Sequence, residues 1–445
     1  MRKSLFLLCL LAIVWQPVSA QHTISGTLQG ENNDLVTLYA YTGQELKALD
    51  STYTNQQGGF SFDVYLETGM YVVETQNVSI ELLYDGDKIQ FIEHSLDNIQ
   101  FTNSALNERW TAYIAKRQEY RHNSEVLKQV LRQYDPQSAF YANARDEFVA
   151  LQDGFDRFCD SLSQISDYAT RLINADRPIK IDPMTTVEEQ RSLVKAHFFD
   201  KVDFNDVTLI PTNVLTTKMI DYISVLQGDT RLSPDPEMRM ILALNVIFEH
   251  AKTNFTTYSF ALEYMLRGYS AMGMDMVTEY LLNYPALKEG DISQEQGRHL
   301  DSIAEPYQKV RVGAVAPNVT QKAVDGNNVN LYSIDSEYVI LFFWSVDCPY
   351  CHEFLGKIKK KLDLKKITLL SFAIADSLEE VVDELSKMKI GGLHFYDEAR
   401  WDSPSFKDYH VFSTPTVFVL DKDKTIVSKP NDWYELNAWL RANNH

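Results

Sequence analysis

The chain has 445 residues, and its 45% hydrophobic and 12% aromatic content excludes global disorder and allows about two to four domains. Lys and Arg total 42 against 61 Asp and Glu, and the net charge of −19 makes nucleic acid and anionic lipid poor partners, because both need a basic surface. Only 4 Cys are present, which excludes a disulfide-scaffolded module, so the positions of the cysteines carry the information.

The N-terminus has the pattern of a cleavable secretory signal peptide. A basic start, Met1–Lys3, precedes the apolar run Leu5–Trp15, which is too short to span a bilayer. The small residues Val18 and Ala20 predict cleavage after Ala20. Cys9 lies inside the apolar run rather than after it, which disfavours a lipoprotein. We therefore expect an exported protein of the periplasm or cell envelope. The cysteines of the mature chain are then Cys159, Cys348 and Cys351.

The region that follows, residues 21–103, predicts a small antiparallel β-sandwich. Apolar and polar residues alternate with period two in short segments that turn signals rich in Asn, Asp and Gly separate. These predicted strands are 23–28, 35–39, 60–64, 71–73 and 88–92. No catalytic constellation is visible here, so a binding or spacer role is expected.

Residues 104–305 change to a helical period and predict an all-α region. Apolar side chains at three- and four-residue steps predict one helix face, formed by Phe148, Leu151, Phe155, Phe158, Leu162 and Ile165. Further helices are predicted at 105–133, 185–199, 212–226, 236–252, 255–267 and 272–283. Asp235 and Pro236 have the pattern of a helix start. Cys159 lies beside the apolar stripe and is predicted to be a buried thiol, with a redox partner or an intermolecular disulfide as the alternative.

Residues 306–445 mix buried strands with amphipathic helices and predict a compact α/β layer. The predicted strands are 338–344, 367–374, 416–420 and 425–428, of which the last two form a hairpin. The predicted helices are 353–364, 378–388 and 433–442.

A pair of cysteines lies where the first of these strands gives way to a helix. Cys348 and Cys351 are separated by Pro349 and Tyr350, and a proline suits the first position of a helix. Backbone N–H groups and the helix dipole favour a thiolate at a helix start. We therefore assign Cys348 as the attacking thiolate and Cys351 as the resolving thiol of a dithiol–disulfide cycle. The active group is this disulfide itself, with no bound cofactor.

Two structural alternatives exist for the cysteine pair. The first is a permanent disulfide, although structural bridges rarely span two residues at a helix start. The second is a zinc site that uses Cys348, Cys351 and His352. A closed zinc site needs four ligands, commonly as two spaced pairs, and the sequence has no second pair, so no metal is expected. His352 is otherwise expected at the surface, where it would modestly tune the thiols.

Thr414-Pro415 precedes the hairpin strand, and a proline entering a buried strand needs a physical reason. A cis peptide bond that packs against the cysteine pair is one such reason. The backbone of Thr414 could then pair with an extended substrate segment.

Three motifs together resemble the TlpA/ResA-like branch of the thioredoxin superfamily, whose members are exported thiol-disulfide oxidoreductases. They are Gly313–Asn318, Trp344–Cys351 and Thr414-Pro415, in the family's order, and they span about residues 312–445. The resemblance implies a thioredoxin-like domain at 306–445. It also implies that Trp344, Pro349, Tyr350, Thr414 and Pro415 bind substrate or support the cysteine pair. The whole chain is similar to secreted Bacteroidota proteins in which a β domain and a helical segment precede such a domain.

The chain departs from its relatives at several positions. Thioredoxins place a buried acid at the position of Phe342, and several ResA-like proteins place a Glu at the position of Phe354. Glu353 is adjacent but is expected to face elsewhere, so the proton shuttle for Cys351 is unassigned. Peroxiredoxins would require Pro and Thr where Leu341 and Ser345 stand, which disfavours peroxidase chemistry.

The sequence therefore predicts an exported thiol-disulfide oxidoreductase that reduces disulfides of other exported proteins. Its partners would be those clients and an upstream electron donor, for which a membrane protein is one candidate. One alternative is an oxidant or isomerase of the same fold. The other is a non-catalytic binding or assembly protein of the envelope with an auxiliary thioredoxin-like domain.

Overall fold

The structure is a computed structural model that describes residues 23–95, 98–361 and 366–443. The predicted signal peptide and Cys9 lie outside the described residues. The chain forms two compact units. The first comprises the described parts of Met1–Val202 and Thr208–Lys218, and the second those of Asp203–Val207 and Met219–His445. The predicted helical region is divided between the two units, and its boundaries stay a prediction.

The N-terminal part of the first unit is a β-sandwich. Its strands are β1 (Thr23–Leu28), β2 (Leu35–Thr42), β3 (Glu45–Tyr53), β4 (Gly59–Asp63), β5 (Gly69–Glu74), β6 (Ser79–Tyr84), β7 (Ile89–Ser95) and β8 (Asn98–Phe101). They form two sheets, ordered β4-β1-β7-β8 and β3-β2-β5-β6. Apolar side chains of both sheets, among them Ile24, Phe91, Leu38 and Val73, share one core. The predicted sandwich is thereby confirmed.

Two features of the sandwich differ from the sequence-based expectation. Strands β1 and β7 pair in parallel, whereas the other neighbouring strands pair antiparallel. The parallel pair arises because the chain visits the second sheet between these two strands. The pattern also missed β3, β6 and β8. Strand β3 is exposed along almost its whole length, so its sequence lacks the alternation that marks a half-buried strand.

Long helices complete the first unit. They are α1 (Ala105–Gln133), α2 (Ala139–Leu162), α3 (Tyr168–Asp176) and α4 (Val187–His197), and α5 (Val214–Gln227) continues into the second unit. Ser104 accepts a hydrogen bond from the Asn107 N–H, which explains why α1 begins where the sequence predicts. On α2, Phe148, Phe155 and Cys159 are buried, but Ile165 lies beyond the helix and is exposed. The predicted stripe is therefore wrong at its last residue.

The second unit contains four further helices. They are α6 (Pro236–Ala251), α7 (Phe255–Ala271), α8 (Asp275–Leu282) and α9 (Gln294–Lys309). Asp235 caps α6 and Pro236 is its first residue, as predicted. The sequence reading missed α9, although Ser293 and Gln296 form a capping box at its start. Pro306 lies inside α9, so the predicted boundary at 305/306 falls within a helix.

The C-terminal α/β domain completes the second unit. Its strands are β9 (Thr320–Lys322), β10 (Asn328–Asn330), β11 (Tyr338–Ser345), β12 (Ile367–Ile374), β13 (Leu393–Tyr396), β14 (Thr416–Asp421) and β15 (Ile426–Ser428). Its helices are α10 (Pro349–Lys361), α11 (Leu378–Met388), α12 (Pro404–Asp408) and α13 (Trp433–Ala442). The main sheet has the order β13-β12-β11-β14-β15. Helix α10 begins four residues before the predicted start, and the predicted end at 364 lies outside the described residues.

Strand β11 lies at the centre of this sheet, parallel to β12 and antiparallel to β14. Its residues 339–344 are fully buried, because both faces of the sheet are covered. Leu341 and Phe343 belong to the core on one face, and Phe342 and Trp344 belong to the core on the other. The central strand thus holds its carboxyl end, which leads into α10, in a fixed place.

Candidate active site

The cysteine pair lies at the junction of β11 and α10. The Cys348 N–H donates to the Ser345 carbonyl at 3.1 Å, which closes the turn after the strand, and Pro349 is the first residue of the helix. The Cys351 N–H donates to Cys348 Sγ at 3.1 Å. Cys348 is thus placed at the start of the helix, where unpaired backbone N–H groups favour negative charge.

Cys348 and Cys351 form a disulfide, with their Cα atoms 5.3 Å apart. Their accessibility differs, because Cys348 is half-buried whereas Cys351 is fully buried. Cys351 packs in the core that Trp344 and Phe354 also line. A reagent from solvent therefore reaches the sulfur of Cys348 first.

The residues predicted around Pro415 do meet the disulfide. Strand β14 runs antiparallel to β11, which brings the residues before β14 beside the carboxyl end of β11. The Thr414-Pro415 peptide bond is cis, as the sequence predicts. Sγ of Cys348 lies 3.7 Å from the backbone oxygen of Thr414. The Thr414 backbone therefore borders the more accessible sulfur.

Trp344, Pro349 and Tyr350 surround the disulfide in different ways. Trp344 is fully buried, and its Nε1 has no hydrogen-bond partner among the described residues. Pro349 is exposed at the helix start, and the Tyr350 side chain is 77% exposed. Trp344 therefore forms the floor of the site, and Tyr350 offers an aromatic surface to an incoming molecule.

The positions at which relatives carry an acid are apolar here. Phe342 and Phe354 pack edge to face, with ring centroids 5.2 Å apart, and both are buried. The Glu353 carboxylate pairs with Lys357 Nζ at 2.6 Å and is largely exposed. Glu353 thus faces away from the core that holds Cys351, as expected from the sequence.

His352 is half-buried rather than simply exposed at the surface. Its Nδ1 lies 3.8 Å from Oε1 of Glu384 on α11, and its ring centroid lies 6.0 Å from that of Trp344. Its Nε2 is buried and has no hydrogen-bond partner within the described part of the chain. Across the described ranges, no group of three or more His, Cys, Asp or Glu side chains is placed to hold a metal ion.

Residues of the helical region contact the loop before Pro415, and the sequence reading missed them. Arg267 of α7 stacks on Phe412, and Tyr307 of α9 packs on His410. Local spacing carries no signal for these contacts, because the helices lie far from the loop in the chain. The exposed aromatic Phe412, two residues before Thr414, was the one available hint.

Cys159 belongs to the first unit and is free and fully buried, as predicted. Burial raises the pKa of its thiol to about 11. The thiol is therefore protonated at neutral pH and unreactive. Over residues 23–95, 98–361 and 366–443, no helix is long and apolar enough to cross a membrane.

The C-terminal domain matches a known protein family. The AhpC/TSA family model matches residues 312–429, which cover the main sheet and the cysteine pair. Leu341 and Ser345 still occupy the positions at which the peroxiredoxin pattern requires Pro and Thr. No curated protein is similar enough to the chain to count as a match.

Several solved structures are similar to parts of the chain. A thioredoxin-like protein from Bacteroides caccae is 20% identical, covers 60% of this chain and 97% of its own, and has a TM-score of 0.37. The thioredoxin domain of a thiol-disulfide oxidoreductase from Bacteroides vulgatus is 20% identical over 30% of this chain and 98% of its own, with a TM-score of 0.28. A domain of a possible thiol-disulfide isomerase from Cytophaga hutchinsonii is 25% identical over 30% of this chain and 92% of its own, with a TM-score of 0.26.

The strand order and the family match agree on the C-terminal domain. Residues 312–429 carry a thioredoxin-like domain of the kind that the AhpC/TSA family model describes. The predicted assignment of this region to the thioredoxin-like oxidoreductases is confirmed at the level of fold and family.

Proposed function

We propose that this protein is an exported thiol-disulfide oxidoreductase that reduces disulfides of other exported proteins through Cys348 and Cys351. The observation that carries the proposal is the asymmetry of the disulfide. Cys348 is half-buried at a helix start beside the Thr414 carbonyl, whereas Cys351 is fully buried behind it. An accessible attacking sulfur and a protected resolving sulfur suit a two-step exchange.

The exchange balances as follows for a reductant. In the dithiol state the Cys348 thiolate attacks one sulfur of a client disulfide, which forms a mixed disulfide and releases one client thiolate. Cys351 then loses its proton and attacks Cys348 Sγ, which closes the intramolecular disulfide and releases the second client thiolate. Two electrons pass from the cysteine pair to the client. The client thiols take up the Cys351 proton and one proton from solvent.

The surroundings of the sulfurs support the direction of this transfer. The polar contacts given above for Cys348 Sγ come from backbone groups, the Cys351 N–H and the Thr414 carbonyl, and Cys351 lies in an apolar core. Strong oxidants of this fold owe their potential to a stabilised reduced form with a strongly favoured thiolate. A site with this weaker stabilisation of the thiolate favours the disulfide and acts as a reductant.

The proposal includes export and two kinds of partner. Export rests on the pattern of residues 1–20, which lie outside the described residues. The clients are exported proteins with disulfides, and a dithiol protein that could be membrane-bound returns the pair to its reduced state. The redox-active group is the disulfide itself, without a bound cofactor or metal.

A direct test is the reduction of insulin disulfides by the purified protein with dithiothreitol as electron donor. We expect Cys348→Ser to abolish the reaction. We expect Cys351→Ser to accumulate a mixed disulfide with the client, because the resolving thiol is missing. Cys159→Ala is the matched control and should keep the wild-type rate. Equal rates for the wild type and Cys348→Ser would instead support a non-catalytic binding or assembly protein.

A redox titration in glutathione buffers separates the reductant from the oxidant or isomerase. A potential near or below about −270 mV, as for thioredoxin, is expected. A value near about −120 mV, as for DsbA, would overturn the proposed direction while leaving the chemistry of the pair intact.

A further inference from the structure

Two helices of the helical region contact the cis-proline loop, defined here as residues 410–415. The Arg267 guanidinium on α7 lies 5.3 Å from the ring centroid of Phe412. The ring of Tyr307 on α9 lies 4.6 Å from that of His410. All four residues belong to the second compact unit. The contacts therefore lie within one body.

His410 connects these contacts inside the loop. Its backbone has the left-handed φ of 52°, which a residue with a side chain adopts only when its surroundings impose it. Its ring lies 5.1 Å from that of Phe412, and its Nδ1 is buried without a hydrogen-bond partner in the described residues. Burial lowers the pKa of this imidazole, so the neutral ring packs as an aromatic group between Tyr307 and Phe412.

The same loop leads directly to the redox disulfide. Phe412 precedes Thr414 by two residues, and the Thr414 oxygen lies 3.7 Å from Cys348 Sγ. The Val411 N–H donates to the Phe406 carbonyl at 2.9 Å, and β14 begins at Thr416. The loop is therefore held by the thioredoxin-like domain at both ends and by α7 and α9 between them.

We propose that the helical region is part of the redox site: Arg267 and Tyr307 position the backbone from Phe412 to Thr414 for pairing with an extended client segment, so that extended protein disulfides are preferred over small ones. This inference rests on the proposed function and names its substrate class. Arg267 and Tyr307 are positioning residues, because they act through the loop. The redox step itself is unchanged, and two electrons still pass from the cysteine pair to the client disulfide.

The preference follows from what each kind of substrate needs. An extended peptide gains affinity from backbone hydrogen bonds along a fixed edge, so any loosening of the loop weakens its binding. A small disulfide needs access to Cys348 Sγ alone. The Phe412 side chain is 42% exposed and Tyr350 is 77% exposed, so both can contact side chains that flank the client cysteine.

The test compares two uncharged substrates of the reduced full-length protein. One is a peptide of about ten residues that is disulfide-linked to a second copy of itself. The other is bis(2-hydroxyethyl) disulfide. We expect Arg267→Ala to lower kcat/KM for the peptide about two- to fivefold, through KM, and to leave the small disulfide unaffected. Arg267→Lys, which keeps the cation, should restore most of the peptide rate.

Arg298→Ala is the matched control, since it removes the same charge from an exposed position on α9. It should match the wild type on both substrates. Phe412→Leu provides a second probe, because it removes the ring from the loop side and should reproduce the loss on the peptide alone. It keeps the inference testable if Arg267→Ala does not fold.

The outcomes are distinguishable. Wild-type rates on the peptide for both Arg267→Ala and Phe412→Leu would overturn the inference, and so would equal losses on both substrates, which indicate a general structural defect. A wild-type protein that reduces neither substrate would overturn the proposed function, and the inference with it. The wild type alone reveals that last case.

Discussion

Cys348 and Cys351 have different surroundings although they are only three residues apart. Cys348 faces solvent and the Thr414 carbonyl, and Cys351 faces an apolar core. The aromatic pair Phe342 and Phe354 fills the positions at which relatives carry an acid. Burial among aromatic rings gives Cys351 no charged group of that kind, so the resolving step depends on other proton acceptors.

Cys159 permits a prediction about alkaline stability. Burial raises the pKa of its thiol from 9.0 to about 11. Because the folded-state pKa is raised, its contribution to stability is fully present below pH 9 and is lost as the pH rises through about 11. We expect the free energy of unfolding to fall by about 2 kcal/mol more in the wild type than in Cys159→Ala between about pH 8 and pH 11.

Urea unfolding at the two pH values measures this difference. Tyrosines that titrate in the same range are common to both proteins, so their effect cancels in the comparison. A parallel loss of stability in the wild type and the variant would show that Cys159 does not carry the effect.

At the scale of elements, the connection between α7 and α8 depends on Gly273. Its φ is +64°, and a Cβ at this position would overlap Oδ1 of Asn431, which follows β15. We expect Gly273→Ala to destabilise the protein more than Gly290→Ala, whose φ is +92° but whose surroundings are open. Gly290→Ala should cost about 1–2 kcal/mol from backbone strain alone.

The difference between the two glycine variants isolates the contact with Asn431. Thermal unfolding of Gly273→Ala with and without Asn431→Ala separates strain from overlap. If Asn431→Ala restores none of the stability lost in Gly273→Ala, the proposed overlap is not the cause.

At the scale of the whole molecule, two compact units predict two unfolding transitions rather than one. The redox disulfide belongs to the second unit. For a reductant the disulfide is the favoured state, so forming it stabilises the fold. We expect reduction to lower one transition, by about 2–4 °C per kcal/mol of lost stability, and to leave the other unchanged.

Calorimetry of the oxidised and reduced protein tests this expectation. Gly273→Ala should lower the same transition as reduction, and Cys159→Ala should lower the other. A Cys348→Ser/Cys351→Ser double variant should be insensitive to reductant. A single transition, or a redox shift in both, would contradict the assignment of the disulfide to one independent unit.

Much of the fold follows from local sequence patterns. Helix α1 and strand β12 have their predicted bounds, because caps and buried apolar runs are read from neighbouring residues. Strand β3 and helix α9 were missed for the same reason. The first is too exposed and the second too polar to show the expected periodicity. The parallel pairing of β1 with β7 depends on the path of the chain between them, which no local pattern records.

The sequence by itself determined the chemistry: a cysteine pair at a helix start, a proline before a strand, and an N-terminus typical of export. Each of these signals lies within a few residues, where backbone geometry and the helix dipole act. The tertiary structure alone decided which of the two sulfurs is accessible and that Arg267 and Tyr307 reach the cis-proline loop. Burial and side-chain contact depend on residues far apart in the chain, which only the packing of α7 and α9 on that loop brings together.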